Sequence, residues 1–299
     1  MLHQLPAIRA SSLWEGVTAR ITVSNVLFAA GLMLLVVPTM LEVARFSWST
    51  EQGGHGPLVL ASGLWLLWRE LRASNAPTLS GNVLIGGLGL AVTLTIYMLA
   101  RITGVLEIEA FAMYGAALCG AYILFGARLL KSIWFPLVYL AFTLPPPDTV
   151  VAAVTQPIKI AISSLSVSLL YNLGYPVAGA GATIQIAQYE LLVAAACAGL
   201  NSIVTLAALC LFYVYLRHQS NPRAFFIICL AILPVAMFSN FVRVIVLILV
   251  TYYLGEAAAQ GFLHDMAGLL LFAVALLTIF GIDKLATPII DSWRRGETQ

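Results

Sequence analysis

Long apolar runs separated by short polar segments dominate the chain. A membrane-spanning helix needs about 20 mostly apolar residues. By that measure, runs lie at roughly 21–43, 56–68, 82–100, 109–127, 132–145, 191–216, 224–243 and 264–282. The second and fifth are short. The pattern predicts an all-α fold, a polytopic membrane helix bundle of about eight transmembrane helices. Segment 149–175 mixes Gln156, Pro157, Lys159 and a serine-rich stretch (Ser163, Ser164, Ser166, Ser168) with apolar residues. It reads as an amphipathic helix that lies in the interface or re-enters the bilayer, with a further span as the alternative. The first run is longer than the roughly 7–15-residue apolar region of a cleaved signal peptide, so it reads as a retained helix.

Composition agrees with the pattern. Of 299 residues, 61% are hydrophobic and 9% charged, against about 25% charged in a typical soluble domain. So few charges cannot cover a soluble globule, and apolar surface must face lipid. Membrane lipids are therefore expected partners. There is no basic stripe and no Gly-rich phosphate loop, so no nucleic-acid partner is expected. Cys119, Cys197, Cys210 and Cys229 form no CxxC pair, and with four scattered histidines they show no metal-ligand spacing. No metal and no organic cofactor is expected. The chain reads as a single integral membrane domain, 1–299, with an N-terminal segment 1–20, a bundle 21–283 and a tail 284–299.

Charge placement orients the bundle. One set of flanks holds Arg9, Arg20, Arg69, Arg72, Arg128, Lys131, Arg217, Arg223, Lys284, Arg294 and Arg295. The opposite flanks hold only Arg45, Arg101 and Lys159, together with Glu42, Glu51, Glu107, Glu109, Asp148, Glu190, Glu256 and Asp265. Lys and Arg favour the cytoplasmic side. The alternation predicts eight spans with both termini in the cytoplasm.

Orientation gives each polar residue a depth. The run from Cys197 ends at Arg217, the run from Arg223 reaches Arg243, and the run from His264 ends before Lys284. At about 1.5 Å per residue, each covers roughly 30 Å, the thickness of the hydrocarbon core. Three helices thus place a Cys, an Arg and a His near the outer boundary. Thiolate is a nucleophile whose pKa a nearby cation lowers. Histidine moves protons near neutral pH. Arginine stays charged and can hold an oxyanion. The trio suits thiol acyl transfer. Each member also has a structural reading. The small residues around Cys197 (Ala194, Ala195, Ala196, Ala198, Gly199) leave room for substrate or for tight helix packing. An arginine deep in an apolar run is a functional hypothesis, or snorkels to the interface. His264 can serve as an interfacial residue. Asn201, four residues after Cys197, and Asn240, three before Arg243, could orient substrate or bond between helices.

The stretches Ala196-Cys197-Ala198-Gly199-Leu200-Asn201-Ser202, Asn240-Phe241-Val242-Arg243-Val244 and His264-Asp265-Met266-Ala267-Gly268 resemble the exosortases, multi-pass bacterial enzymes that process proteins bearing a C-terminal PEP-CTERM tag. Gly54-His55-Gly56-Pro57-Leu58-Val59-Leu60, Leu66-Leu67-Trp68-Arg69 and Leu144-Pro145-Pro146-Pro147 extend the resemblance, which runs from about Trp48 to Leu277 and looks like the exosortase B subgroup. Many members carry an acidic residue before the Cys and a Ser after it, where this chain has Ala196 and Ala198. Many have Ser-His-Gly-Phe where Gly54-His55-Gly56-Pro57 stands.

The resemblance implies a cysteine protease/transpeptidase with Cys197, Arg243 and His264 as catalytic residues. Asn201, Asn240 and His55 are candidate substrate contacts. It further implies tagged protein substrates, an acceptor of unknown identity, and a site on the periplasmic face of the bacterial inner membrane. The rival reading is a multi-pass transporter or channel in which Arg243 binds an anion. The scarcity of charges in the other spans, and the lack of matched Gly/Pro interruptions in two halves, weigh against it.

Overall fold

The computed structural model describes residues 23–296 apart from 50–53, 75, 78, 182, 193–200 and 220. The helices are α1 (Val23–Phe46), α2 (Gly56–Ala73), α3 (Val83–Thr103), α4 (Leu106–Ser132), α5 (Trp134–Leu140, prolonged by a 3-10 turn at Ala141–Thr143) and α6 (Asp148–Asn172). Strands β1 (Val177–Ala180), β2 (Thr183–Ile186) and β3 (Tyr189–Leu192) follow. The chain continues with α7 (Asn201–His218), α8 (Pro222–Leu254), α9 (Glu256–Asp265) and α10 (Ala267–Gly296). Among the described residues, six helical stretches are long and apolar enough to cross a membrane: Val26–Phe46, Val83–Thr103, Leu106–Ser132, Thr149–Asn172, Pro222–Leu254 and Leu269–Pro288. The fold is the polytopic, essentially all-α membrane bundle that the apolar runs predict.

Individual elements differ from the run pattern. The run at 132–145 forms only the short helix Trp134–Thr143. Pro145, Pro146 and Pro147 follow it, and prolines lack the N–H a helix needs. Segment 149–175 is one 25-residue helix, α6, with Pro157 inside it. The run at 191–216 begins in β3, and its described helix starts at Asn201. The run at 224–243 extends to Leu254. The run at 264–282 is divided, because His264 belongs to α9 and the long helix starts at Ala267.

Two packed groups of helices make up the bundle. In the first, α3 and α4 lie close because small residues meet. A Cβ on Gly89 would stand 2.8 Å from Cys119 Sγ, and one on Gly115 would stand 3.0 Å from Thr93 Cγ2. Without a hydrophobic force between helices in lipid, such close packing supplies the attraction. α4 kinks at Gly126, which has φ +77° and ψ 172°. An L-residue is strained at that φ, and its Cβ would also collide with the Leu79 carbonyl. The second group is the main core, where Leu66 of α2, Tyr139 of α5, Leu206 of α7, Ile228 and Val235 of α8, and Leu271 and Ala275 of α10 interlock.

Polar contacts mark the two ends. At one, Arg69 donates to Gln219 Oε1 at 3.2 Å, Gln219 Nε2 donates to Glu70 at 3.0 Å, and Ser74 bonds Ser132 at 3.0 Å. Lys/Arg-rich flanks from α2, α4 and α7 therefore share one end. At the other, Trp48 Nε1 donates to the Thr143 carbonyl at 3.1 Å. Near it lies a buried network in which Glu109 accepts from Arg101 at 2.6 Å and from Thr39 at 2.8 Å.

The antiparallel sheet, in order β1-β2-β3, was not foreseen. It pairs Ile184 with Gly179 and Leu191, and Ile186 with Val177 and Tyr189. Ile184 and Ile186 are fully buried while Gln185 is exposed, the two-residue alternation of a half-buried strand. With Ile162 and Leu170 of α6, they pack on Val244 and Ile248 of α8. The sheet and the second half of α6 thus cover the last third of α8.

Candidate active site

Helix α8 organises the site. It begins at Asn221, whose side chain accepts from the Ala224 N–H at 3.3 Å, and Pro222 occupies its first turn. Both are favourable helix starts. Arg243 lies 21 residues after Pro222, about 31 Å along the axis. The described helix therefore carries this arginine across a full hydrocarbon thickness from the Lys/Arg-rich end. Arg243 is 7% exposed, and Asn240 and Ser239 are 0% exposed. A snorkelling arginine would reach solvent, whereas Arg243 is enclosed by the bundle. Arg243 and Asn240 both make contacts with neighbouring groups.

Elements packed on α8 carry or flank the other candidates. α8 ends at Gly255, whose φ is +86°, a conformation that glycine adopts without strain. The chain reverses there into α9, where Ala259 packs beside Leu247, one helical turn beyond Arg243. His264 follows five residues later in the backbone of α9; its side chain lies outside what the structure describes. Cys197 lies outside the described residues. Leu192 precedes it by five residues and Asn201 follows it by four. Chain length holds its Cα within about 18 Å and 14 Å of those two residues. Both flanking elements, β3 and α7, pack on α8. The elements that flank Cys197, and α9, whose backbone includes His264, therefore pack on the helix bearing Arg243.

The subsidiary candidates fare unequally. Asn240 is buried one turn before Arg243, on the same side of α8. Asn201 is the first described residue of α7, and the helical face expected to join it to Cys197 lies outside the described residues. His55 occupies the N-cap position of α2, half-buried, with its carbonyl accepting from Val59 N–H at 3.0 Å. It sits at the end of the bundle opposite the Lys/Arg-rich flanks, beside Gly56, against which the Trp48 indole packs. Among the described residues, no three His, Cys, Asp or Glu side chains gather as metal ligands.

Three features escaped the sequence reading. Ser163 and Ser166 of α6 are buried at 1% and 0% exposure, and Ser166 shares its face with Ile162 and Leu170, which pack on α8. Their (i, i+4, i+8) spacing was the available signal. The sheet was legible in the alternation Thr183-Ile184-Gln185-Ile186. The third is a cluster in which Asp283 accepts from Tyr213 at 2.5 Å and from Thr287 at 2.7 Å, and pairs with His218 Nε2 at 2.7 Å. Asp283 lies sixteen residues past Ala267, the start of α10, roughly 24 Å along that helix. The cluster is a clamp between α7 and α10 at the Lys/Arg-rich end, apart from Arg243.

Fold and composition define a polytopic helical membrane protein. More particularly, the family model described as transmembrane exosortase matches residues 48–281, and the chain belongs to that family. Membership makes it a membrane peptidase or transpeptidase for sorting signals. The match is to the family as a whole, and it takes in His55, Cys197, Asn201, Asn240, Arg243 and His264. No curated protein and no solved structure is significantly similar to the chain.

Proposed function

We propose that this exosortase is a cysteine transpeptidase/protease that cleaves C-terminal PEP-CTERM-type sorting signals through a thioester on Cys197. The observation that supports the reading is the enclosed Arg243, a full membrane thickness along α8, the helix on which α9 and the elements flanking Cys197 pack. A permanently charged group is costly at that position, and such residues mark function.

In this mechanism the Cys197 sulfur attacks the carbonyl carbon of the scissile peptide bond, and His264 takes the thiol proton. Arg243 stabilises the oxyanion or binds the substrate carboxylate. The C–N bond then breaks, and His264 returns the proton to the leaving amine. The remaining acyl thioester is attacked by an envelope acceptor or by water, which frees the thiolate. Asn240, Asn201 and His55 contact substrate. Both termini face the cytoplasm, and the site opens on the periplasmic side of the inner membrane. The charge alternation supports this orientation.

The test is processing of a tagged substrate in cells carrying Cys197→Ala, Arg243→Ala or His264→Ala. Each variant should accumulate full-length substrate while remaining in the membrane. Normal processing with Cys197→Ala would end the nucleophile assignment.

A further inference from the structure

An apolar slot of about 520 Å³ runs between α1, α2, α4 and α5. Val37, Leu41, Ala44 and Trp48 form its α1 wall, and Met113 and Leu144 are buried beneath it. Val37 and Leu41 are 47% and 52% exposed, so the slot opens sideways toward lipid. Its polar groups are already engaged. Trp48 Nε1 donates to the Thr143 carbonyl, and Tyr114 OH donates to the Leu137 carbonyl. The slot thus offers no hydrogen bond to an occupant and suits an apolar one.

Dimensions decide between the apolar occupants a membrane supplies. The α1 wall runs from Val36 to Trp48, a rise of about 18 Å at 1.5 Å per residue. Spreading the 520 Å³ over that length leaves a mean width of about 6 Å for the centres of water-sized atoms and about 9 Å between the walls, still narrower than a helix with side chains, about 10–12 Å across. A transmembrane helix does not fit. One leaflet's half of the hydrocarbon core is about 15 Å deep. An acyl chain of that leaflet has the length and slenderness of the slot.

Charge at the mouth agrees. Arg45 is exposed and stands one turn past Leu41 on the same face of α1. Among the described residues no carboxylate pairs with it. The neighbouring Arg101 is held by Glu109 at 2.6 Å and Glu42 at 3.5 Å. Arg45 is thus, among the described residues, a cation without a paired carboxylate at the outer end of α1, beside Trp48. We propose that this is a phospholipid site, with one acyl chain in the slot and the headgroup phosphate against Arg45. The bound lipid joins α1 and α4 to α2 and α5, and it seats Trp48 against Gly56 next to His55.

The experiment uses the full-length protein in liposomes containing a glycerophospholipid with a photoactivatable acyl chain, with labelled residues mapped by mass spectrometry. Labelling should concentrate on slot residues of α1 and α5, at least tenfold above the exposed face of α3 around Leu88. Ala117→Trp fills the deep end and should lower slot labelling at least tenfold; Leu88→Trp should leave it unchanged. Arg45→Gln, a surface change, should lower it several-fold, and Ala44→Leu is a milder filling variant if Ala117→Trp does not fold. Even labelling of all lipid-facing helices, or full slot labelling in folded Ala117→Trp or Ala44→Leu, would overturn the proposal. So would displacement of the slot label by a co-reconstituted transmembrane peptide.

Discussion

Removing Arg101 should destabilise the protein by stranding Glu109. The Glu109 side chain is 3% exposed and accepts from Arg101 at 2.6 Å and Thr39 at 2.8 Å. Thr39 is 0% exposed and also bonds Tyr97 OH at 3.1 Å. The network thus ties α1, α3 and α4 together. Breaking a buried pair by removing one partner costs about 3–5 kcal/mol, because the other is left uncompensated. The Arg101 head is 41% exposed, so water already screens one side, and the cost should fall near the low end, about 3 kcal/mol. At roughly 2 °C per kcal/mol for a chain of this size, Arg101→Met should lower the unfolding midpoint by about 6 °C. The measurement is thermal unfolding of purified protein in one detergent. Combining Arg101→Met with Glu109→Leu removes both charges and should recover most of the loss, to within about 1 kcal/mol of wild type. A single variant as stable as wild type, or a double variant no better than the single, would refute the reasoning.

Gly126→Ala should destabilise by about 2 kcal/mol or more, from the left-handed backbone and the collision with Leu79; monodispersity after a heat step, read by size-exclusion chromatography, checks it. Asp283→Asn should weaken the α7–α10 clamp and lower thermal stability. Substrate processing per folded molecule should stay unchanged, because the cluster lies at the Lys/Arg-rich end of the bundle, roughly 24 Å along α10 from its start at Ala267. Ile184→Ala, at a fully buried sheet position, should cost about 2–5 kcal/mol and should lower processing by loosening β3, the strand leading toward Cys197; limited proteolysis at 177–192 and processing read the two effects.

How much was legible depended on the type of signal. Spans of twenty apolar residues leave little choice in lipid, and α1, α3 and α4 follow the runs closely. The contacts of Arg69 with Gln219, and of Ser74 with Ser132, bring the Lys/Arg-rich flanks to one end, as charge alternation required. Breaks inside apolar runs were harder to see. Leu191 and Leu192 are as apolar as the helix that follows them, so hydropathy merged β3 into a span, although Thr183-Ile184-Gln185-Ile186 alternates. His264 was joined to the long helix because Met266 and Ala267 do not interrupt hydropathy, although α9 ends at Asp265. The depth of Arg243 was readable by counting turns. Its burial was not, since tertiary packing decides it. The three-residue constellation came from resemblance as much as from spacing.

The most direct test is a search for the acyl-enzyme. Purified protein in lipid is mixed with a synthetic tagged substrate, quenched in acid and analysed by mass spectrometry. The predicted result is a hydroxylamine-labile adduct on the peptide containing Cys197, absent in Cys197→Ala. Its rate of formation should fall by about 10²–10³ in Arg243→Gln and by about 10²–10⁴ in His264→Ala. Undiminished cleavage by Cys197→Ala, or an adduct on Cys119, Cys210 or Cys229 instead, would contradict the account.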